Sequence, residues 1–566
     1  MAQINSRLIF ITTSPRTPEK MVPEIKVLID HFEGKVWNAQ SQRSFMEVLR
    51  DKEFFNGNGA KDPAFSARDR INRGPKALGF VKLSPYISPT EAGLSFINAR
   101  NKDEIFLRQL LKFQVPSPYH IPSSNAAKFW IKPYLELIRL IRVLGTLKFD
   151  ELQIFGLQLT DWHNFDKIIA KIEHFRSSYA ISTDNYRTFR HKYLLNELST
   201  VYADRISNGL TKTRESRENT INSFLETQAR NTRDYADACF RYLKATGLIN
   251  VSHSGKSLSI IPERAKDVDF ILSTIERDPI IFENESAYVT YLGNATLPLL
   301  LTDNKASLIE RLNNEFPNTS IPPDTSITQI KNILSDLCEM RKNESLRLQV
   351  KEIKDYKLYN DIQLTYNRII SNELYDAPLM LEWNTWRAMT MLNGGEIKPN
   401  LSFDDFGQPL YTAQGNMPDI ICNYGDFLVT VEVTTAKGQR QFTMENDSVP
   451  RHLGQLKNST GKTCYGLFIA PSINDACVAY FYGLHHVNVS YYGGKAIIIP
   501  LPLYIFQKML EDSYKLGYPT SPIQLRNFFE TSIKIAHSTQ NEIEWYSQIK
   551  QLATNWLNLS TKLNHN

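Results

Sequence analysis

The sequence predicts a multidomain α/β protein, with helical modules carrying β-hairpins in its first half and a mixed-sheet domain at its end. Three observations lead there. The chain has 566 residues, and at about 100–200 residues per domain that gives three or four domains. A basic helix followed by a short hairpin occurs twice before residue 265. From residue 377 onward, short β-rich runs alternate with helical patterns, the order from which mixed sheets are built.

The first module spans about residues 1–125. Ala67 to Gly93 supplies its basic helix and hairpin: Gly79, Phe80 and Val81 lead into a tip near Pro85, and Ile87 and Ser88 lead out. The second module, about 126–277, repeats the outline in Tyr235 to Glu263. There Leu248 to Val251 is expected to pair with Leu258 to Ile261 around the polar tip Ser252–Lys256. A helix followed by a hairpin with a basic tip outlines a winged helix-turn-helix, in which the helix enters the DNA major groove and the wing lies on the backbone. Between the hairpins, Leu137, Leu140, Ile141 and Leu144 fall on one helical face, and Ile168, Ile169 and Ile172 form a second group, as packing helices require. Residues 200–225, with Lys212, Arg214 and Arg217 among small polar residues, read as a solvated loop near phosphates.

Residues 278–372 read as a largely helical linker. An Asn- and Pro-rich stretch ends at Ile321–Asp324, and an interleaved Lys and Glu pattern runs from 326 to about 373. In the last region, 373–566, strands are expected at Pro418–Tyr424, Phe427–Thr434, Thr463–Ile469 and Lys495–Leu501, with helices at 473–483 and 502–515.

Charge follows the same division. Residues 1–280 carry 41 Lys and Arg against 31 Asp and Glu, whereas 281–566 carry 24 against 29. A basic first half beside a mildly acidic second half suits a polyanion-binding region joined to a metal-binding one. The five cysteines, Cys239, Cys338, Cys422, Cys464 and Cys477, form no CxxC pair, so neither a disulfide framework nor a zinc ribbon is expected, and a reducing cytoplasm fits. No run of 18 apolar residues and no leader pattern is present, so no membrane partner is expected. No phosphate-binding Gly-rich loop appears, so ATP use is not expected either.

The chemistry concentrates in Pro418-Asp419 and in Glu432, thirteen residues on. A turn at Asn423–Asp426 makes the two runs a hairpin, and Glu432 interrupts an otherwise apolar strand. Burying an ionised carboxylate is unfavourable unless it is paired or metal-bound. An Asp at the start of one strand and a Glu inside its partner can converge on Mg²⁺, which prefers carboxylates and water. Glu382, between apolar residues and beside Trp383 and Trp386, is a candidate third ligand or a satisfied interfacial carboxylate. Glu445 and His452 are further candidates, but Pro450 argues against one unbroken helix through both.

At these residues the sequence resembles the AlwI-type family of type IIS restriction endonucleases, which includes PleI, MlyI and the BstNBI nicking enzyme, and within it is most similar to PleI and MlyI. The shared patterns are Ser14–Lys20, Ala64–Arg70, Glu382–Trp386, Gly415–Asp419, Glu432–Gly438 and Val449–His452. The resemblance implies a winged-helix recognition region (1–277), a helical linker (278–372) and a PD-(D/E)xK nuclease domain (373–566). It implies recognition of a short asymmetric site, GAGTC in the nearest relatives, with Mg²⁺-dependent cleavage a few bases away. Glu382, Asp419, Glu432 and Glu445 match the acidic active-site positions, and His452 matches a nearby histidine. The lysine usual two residues after the Glu is replaced by Thr434, leaving Lys437 or a glutamate to take its part. Arg16, Lys20, Arg68, Arg70, Arg73 and Lys76 are DNA-contact candidates in the first module, and Arg230, Arg233 and Lys256 in the second. Expected partners are duplex DNA, a cognate methyltransferase of the same bacterial restriction-modification system, and a transient homodimer or small second subunit for double-strand cleavage. A strand-specific nickase and a non-catalytic winged-helix regulator are the alternative readings.

Overall fold

A computed structural model describes residues 2–9, 14–52, 62–213, 218–252, 255–371, 373–393, 395–412, 417–517 and 520–558. The chain is mostly helical, with small sheets and one mixed sheet of five strands. It divides into two units, Met1–Asp336 and Leu337–Asn566.

In the first unit both expected hairpins form. Val81–Lys82 pairs antiparallel with Ser88–Pro89. Ile249–Val251 pairs with Ser257–Ile260 in the expected register, Ile249 opposite Ile260. A strand the sequence did not signal, Thr146–Lys148, adds to the outer edge of the second hairpin, placing Leu147 opposite the fully buried Leu258. The helix Pro133–Leu144 precedes that strand. Pro133 fits its first turn, where no N–H is required, Leu137, Leu140 and Ile141 are fully buried, and Gly145 ends it with φ 72°.

The helix Ile221–Lys244 leads into the second hairpin and begins inside the stretch expected to be loop. The Thr220 side chain caps it by accepting from the Ser223 N–H. Arg214 and Arg217 of that stretch, and His253 and Ser254 of the hairpin tip, lie outside the described residues.

Residues 278–336, expected as part of a connector, pack into this first unit. Tyr288 is fully buried and Leu292 nearly so. The buried Lys112 donates to the carbonyls of Leu292 (2.7 Å) and Asn294 (2.6 Å), and Arg108 donates to those of Thr296 and Pro298 and to Asp303. Buried cations need such partners, because an unpaired one would forfeit its hydration without compensation. The helical pattern expected from 326 appears as Ile327–Lys354 and Tyr359–Ile370.

The second unit is built on the five-stranded sheet. Its strands are β1 (Glu396–Pro399), β2 (Ile420–Asn423), β3 (Phe427–Val433), β4 (Thr463–Ala470) and β5 (Ile498–Pro502), in spatial order β5-β4-β3-β2-β1. The first three strands pair antiparallel, and β3, β4 and β5 run parallel. Every residue of β3 but the last is buried, so the strand reads as a nearly continuous apolar run. β1, which the sequence reading passed over, alternates exposed Glu396 and Lys398 with Ile397 and ends in Pro399. At the opposite edge β5 carries Pro500 and Pro502.

Four helices position the site: α1 (Ala377–Asn393), α2 (Gln439–Thr460), α3 (Asp475–His486) and α4 (Leu503–Leu516). α1 packs over the sheet with Trp383 fully buried and the Trp386 indole donating to Ile397 of β1 (3.2 Å). α2 corrects the expectation drawn from Pro450: it is a single helix through that residue. Pro450 leaves one i→i−4 bond unmade, but the bonds on either side and burial of Val449, Pro450, Leu453 and Gly454 hold the helix together. Gly454 is required there, because a Cβ would lie 2.6 Å from the backbone of Tyr492.

Candidate active site

The Tyr424–Phe427 turn sets the register of the β2–β3 hairpin. Ile420 stands opposite Val431, so the next pair outward is Asp419 with Glu432. Directly opposed residues of an antiparallel pair share a face, with Cβ atoms about 4.5–5.5 Å apart. The backbone ties this pair reciprocally. Asp419 Oδ2 accepts from the Val433 N–H (2.8 Å), and the backbone of Asp419 hydrogen-bonds the Glu432 carboxylate.

Helix α2 adds two groups. The stagger of seven residues between Glu445 and His452 is two turns, which puts both on one face. His452 Nδ1 lies 2.7 Å from Glu432 Oε1, and its buried Nε2 meets no hydrogen-bond partner among the described residues. Glu445 is half-buried and held by the hydroxyls of Thr434 and Ser448. It lies within helix α2, well before Pro450.

The electrostatics follow from crowding three acids together. Burial raises the Asp419 carboxyl well above its usual range, and repulsion by Glu432 and then Glu445 adds to this. Burial, then Glu445, does the same to Glu432. Burial raises Glu445 against its two hydroxyl bonds. Burial also lowers His452 to about 4, so its imidazole is neutral near pH 7.

Glu382 is buried on α1, one turn ahead of Trp386 and therefore on the same side of the helix. Thr434 is buried and accepts from the Ala436 N–H, while Lys437 is exposed. Gly415 and Asn416 lie outside the described residues.

One residue was missed in the sequence. Gln441, in the first turn of α2, is fully buried and bonded to the loops after β3 and β4. Two of its three partners are backbone atoms of the distant loop after β4, so no local pattern marks it.

The basic candidates separate by partner. Lys20 and Arg230 are exposed, Arg230 donating to the Thr227 hydroxyl. Arg16 is exposed beside Asp234 (3.1 Å), and Arg68 donates to Gln42 (2.8 Å). Arg70 pairs with the buried Glu24, and Arg73 with Asp69 (2.8 Å). Lys76 lies over the Tyr119 ring (4.2 Å), and Arg233 over Phe149 (5.3 Å). Lys256 sits half-buried at the foot of the second hairpin tip.

Among the described residues no helix is long and apolar enough to cross a membrane. Nor do three or more His, Cys, Asp or Glu side chains among them enclose a metal ion by themselves.

Comparison with known proteins gives three findings. A family model described as AlwI restriction endonuclease matches residues 77–509. The small subunit (R.BspD6I2) of the heterodimeric restriction endonuclease R.BspD6I is 26% identical, with 37% of this chain and 100% of that chain covered and a TM-score of 0.29. The BpuJ1 endonuclease binding domain, in a complex with pyrene- and phenanthrene-modified DNA, is 15% identical, with 49% and 92% covered and a TM-score of 0.30. No curated protein matches the chain.

Proposed function

This chain belongs to the AlwI restriction endonuclease family and is a site-specific deoxyribonuclease, and from that premise we propose a type IIS enzyme that reads a short asymmetric duplex site, GAGTC-like by resemblance, and hydrolyses phosphodiester bonds a few bases downstream with Mg²⁺. The observation that carries the reading is the register pair Asp419–Glu432, two crowded carboxylates tied to each other's strand, with the His452 Nδ1 on Glu432 and its Nε2 left without a partner among the described residues.

The donor set fits Mg²⁺. That ion keeps several waters and takes one or two carboxylates plus substrate oxygens, so it does not need a protein cage. A dication also relieves the repulsion that otherwise pushes these acids toward protonation. Asp419 and Glu432 would hold it, with Glu382 as third ligand or water-orienting group. When bound, Mg²⁺ lowers the pKa of a coordinated water and stabilises charge on the scissile phosphate. His452 Nδ1 orients Glu432, and Glu445 takes the place of the lysine missing at Thr434, accepting a proton at its carboxylate. Its place beside Asp419 and the exposure of Lys437 favour Glu445 for that part. The products are a 5′-phosphate and a 3′-hydroxyl. Residues 373–566 form the PD-(D/E)xK nuclease region in this reading, and of the expected linker 278–372 the part up to Asp336 belongs to the first unit.

Recognition falls to residues 1–277. Two features support the winged-helix reading of the second module: the Thr146–Lys148 strand paired beyond the hairpin, and the helix Ile221–Lys244 leading into it. That helix, bearing Arg230 and Arg233, is the one assigned to the major groove, where Arg pairs with guanine O6 and N7. Arg16, Lys20, Arg68, Arg70, Arg73, Lys76 and Lys256 position phosphates and base edges.

With one acidic cluster assigned per chain, cutting both strands requires a transient homodimer or a second subunit. Cutting one strand makes the enzyme a nickase. Supercoiled plasmid bearing the site, incubated with the chain and Mg²⁺, distinguishes linear from nicked product, and sequencing the ends gives the positions. Glu382→Ala, Asp419→Ala and Glu432→Ala are expected to abolish cleavage and retain site-specific gel shifts. Normal cleavage by any of them removes that residue from the site, and wild-type binding without cleavage leaves a DNA-binding regulator.

A further inference from the structure

We infer that Gln441 is a positioning residue of the active site: its side chain fixes the start of α2 against two loops and so sets where Glu445 and His452 meet Asp419 and Glu432. This rests on the assignment of that cluster to catalysis. Gln441 is fully buried. Its amide nitrogen donates to the carbonyls of Ala436 (3.0 Å) and Ser472 (2.9 Å), and its oxygen accepts from the Asn474 N–H (2.7 Å). Both donors and an acceptor are therefore used, which only a carboxamide of this length provides here.

The three partners lie in the loops that follow β3 and β4. The first of these loops, Thr434–Gly438, begins two residues after Glu432 and contains Thr434, whose hydroxyl bonds Glu445. The second contains Asn474, whose side chain caps α3. Gln441 stands four residues before Glu445 and eleven before His452, a spacing that keeps all three along one face of α2. Gly438, at φ 58°, starts the helix in a conformation that L side chains rarely adopt, so the loop before it needs an external brace. Loosening that brace shifts the helix face by a fraction of a turn, and a misplacement on the order of 1 Å lowers turnover about 100-fold.

The experiment uses the full chain with Gln441→Glu, which keeps the acceptor and loses both donors, and Gln441→Asn, which keeps the amide but is one methylene too short. Both are expected to bind the site in gel shifts as the wild type does, without metal. Both are expected to cut about 10- to 100-fold more slowly at saturating DNA. Amide hydrogen exchange at 434–438 and 472–475 is expected to speed at least tenfold, with the Ile498–Pro502 strand unchanged.

The wild-type chain supplies a test that needs no variant: the Asn474 amide, bonded to a side chain and to no strand, is expected to be protected. Free exchange of that amide overturns the inference, as do variants whose loops loosen while cleavage stays within twofold of wild type. Asp419→Ala, run alongside, separates the two levels. Its normal cleavage sinks the site assignment itself, whereas its inactivity with fully active Gln441 variants sinks the positioning role alone.

Discussion

Asp419 and Glu432 occupy positions that no stability argument would choose. Each is crowded by a like charge, and each has its carboxyl raised by burial. A carboxyl with a raised folded-state pKa destabilises the fold at pH values above its unfolded pKa, and the penalty vanishes in acid, where both states are protonated. Asp419→Asn is therefore expected to stabilise the metal-free chain at pH 7 by about 1–3 kcal/mol while abolishing cleavage. Urea unfolding at pH 7 and pH 3.5 checks this, with the gain expected at the higher pH only. A variant equally stable at both pH values would show that the two acids are not crowded in the folded chain. The pair was legible in the sequence because an Asp at the start of one strand and a Glu inside its hairpin partner can converge, and the turn Tyr424–Phe427 places 419 against 432. Gln441 was not legible, because two of its three partners are main-chain atoms brought near by the sheet.

At the scale of the element, β2 to β5 fall within a few residues of the expected runs, since β-rich segments flanked by turn residues mark them well, whereas β1 went unmarked. The misses have local causes. Thr146–Lys148 is three residues long with a single buried side chain, too short for alternation to register. α2 was expected to break at Pro450, but tertiary burial of its neighbours outweighs one absent hydrogen bond.

Helix α3 offers a pH test of the same packing. His485 is fully buried, its Nε2 3.2 Å from the Ile498 carbonyl, and burial lowers it to about 4. Because its folded-state pKa lies below the ordinary 6.5, its contribution is complete above that pH and is lost as pH falls toward 4. His485→Gln removes the titration. Between pH 7.5 and 4.5 the stability of the variant relative to wild type is expected to rise by about 2 kcal/mol, read from urea midpoints. A constant difference would mean that His485 protonates without penalty.

For the whole molecule, the charge asymmetry between halves has a measurable counterpart in salt dependence. Each phosphate neutralised contributes about −0.9 to the slope of log K against log salt. Arg230→Ala and Lys20→Ala are each expected to make that slope shallower by about one, and Asp419→Asn to leave it unchanged. Anisotropy titrations at four salt concentrations resolve this, and an unchanged slope removes that residue from the interface.

The edges of the five-stranded sheet bear on how a second strand of DNA would be cut. β1 ends in Pro399 after the charged Lys398, and β5 carries Pro500 and Pro502. In an intact ladder prolines occupy only the outward-facing donor positions, so each border is short of donors with which to recruit a foreign strand. Continuous β-augmentation across two copies, or with a smaller subunit, is disfavoured at both margins. Any companion that supplies the other incision has to grip helices or loops, and surface substitutions on those elements, with the sheet left untouched, are where such an association would be lost.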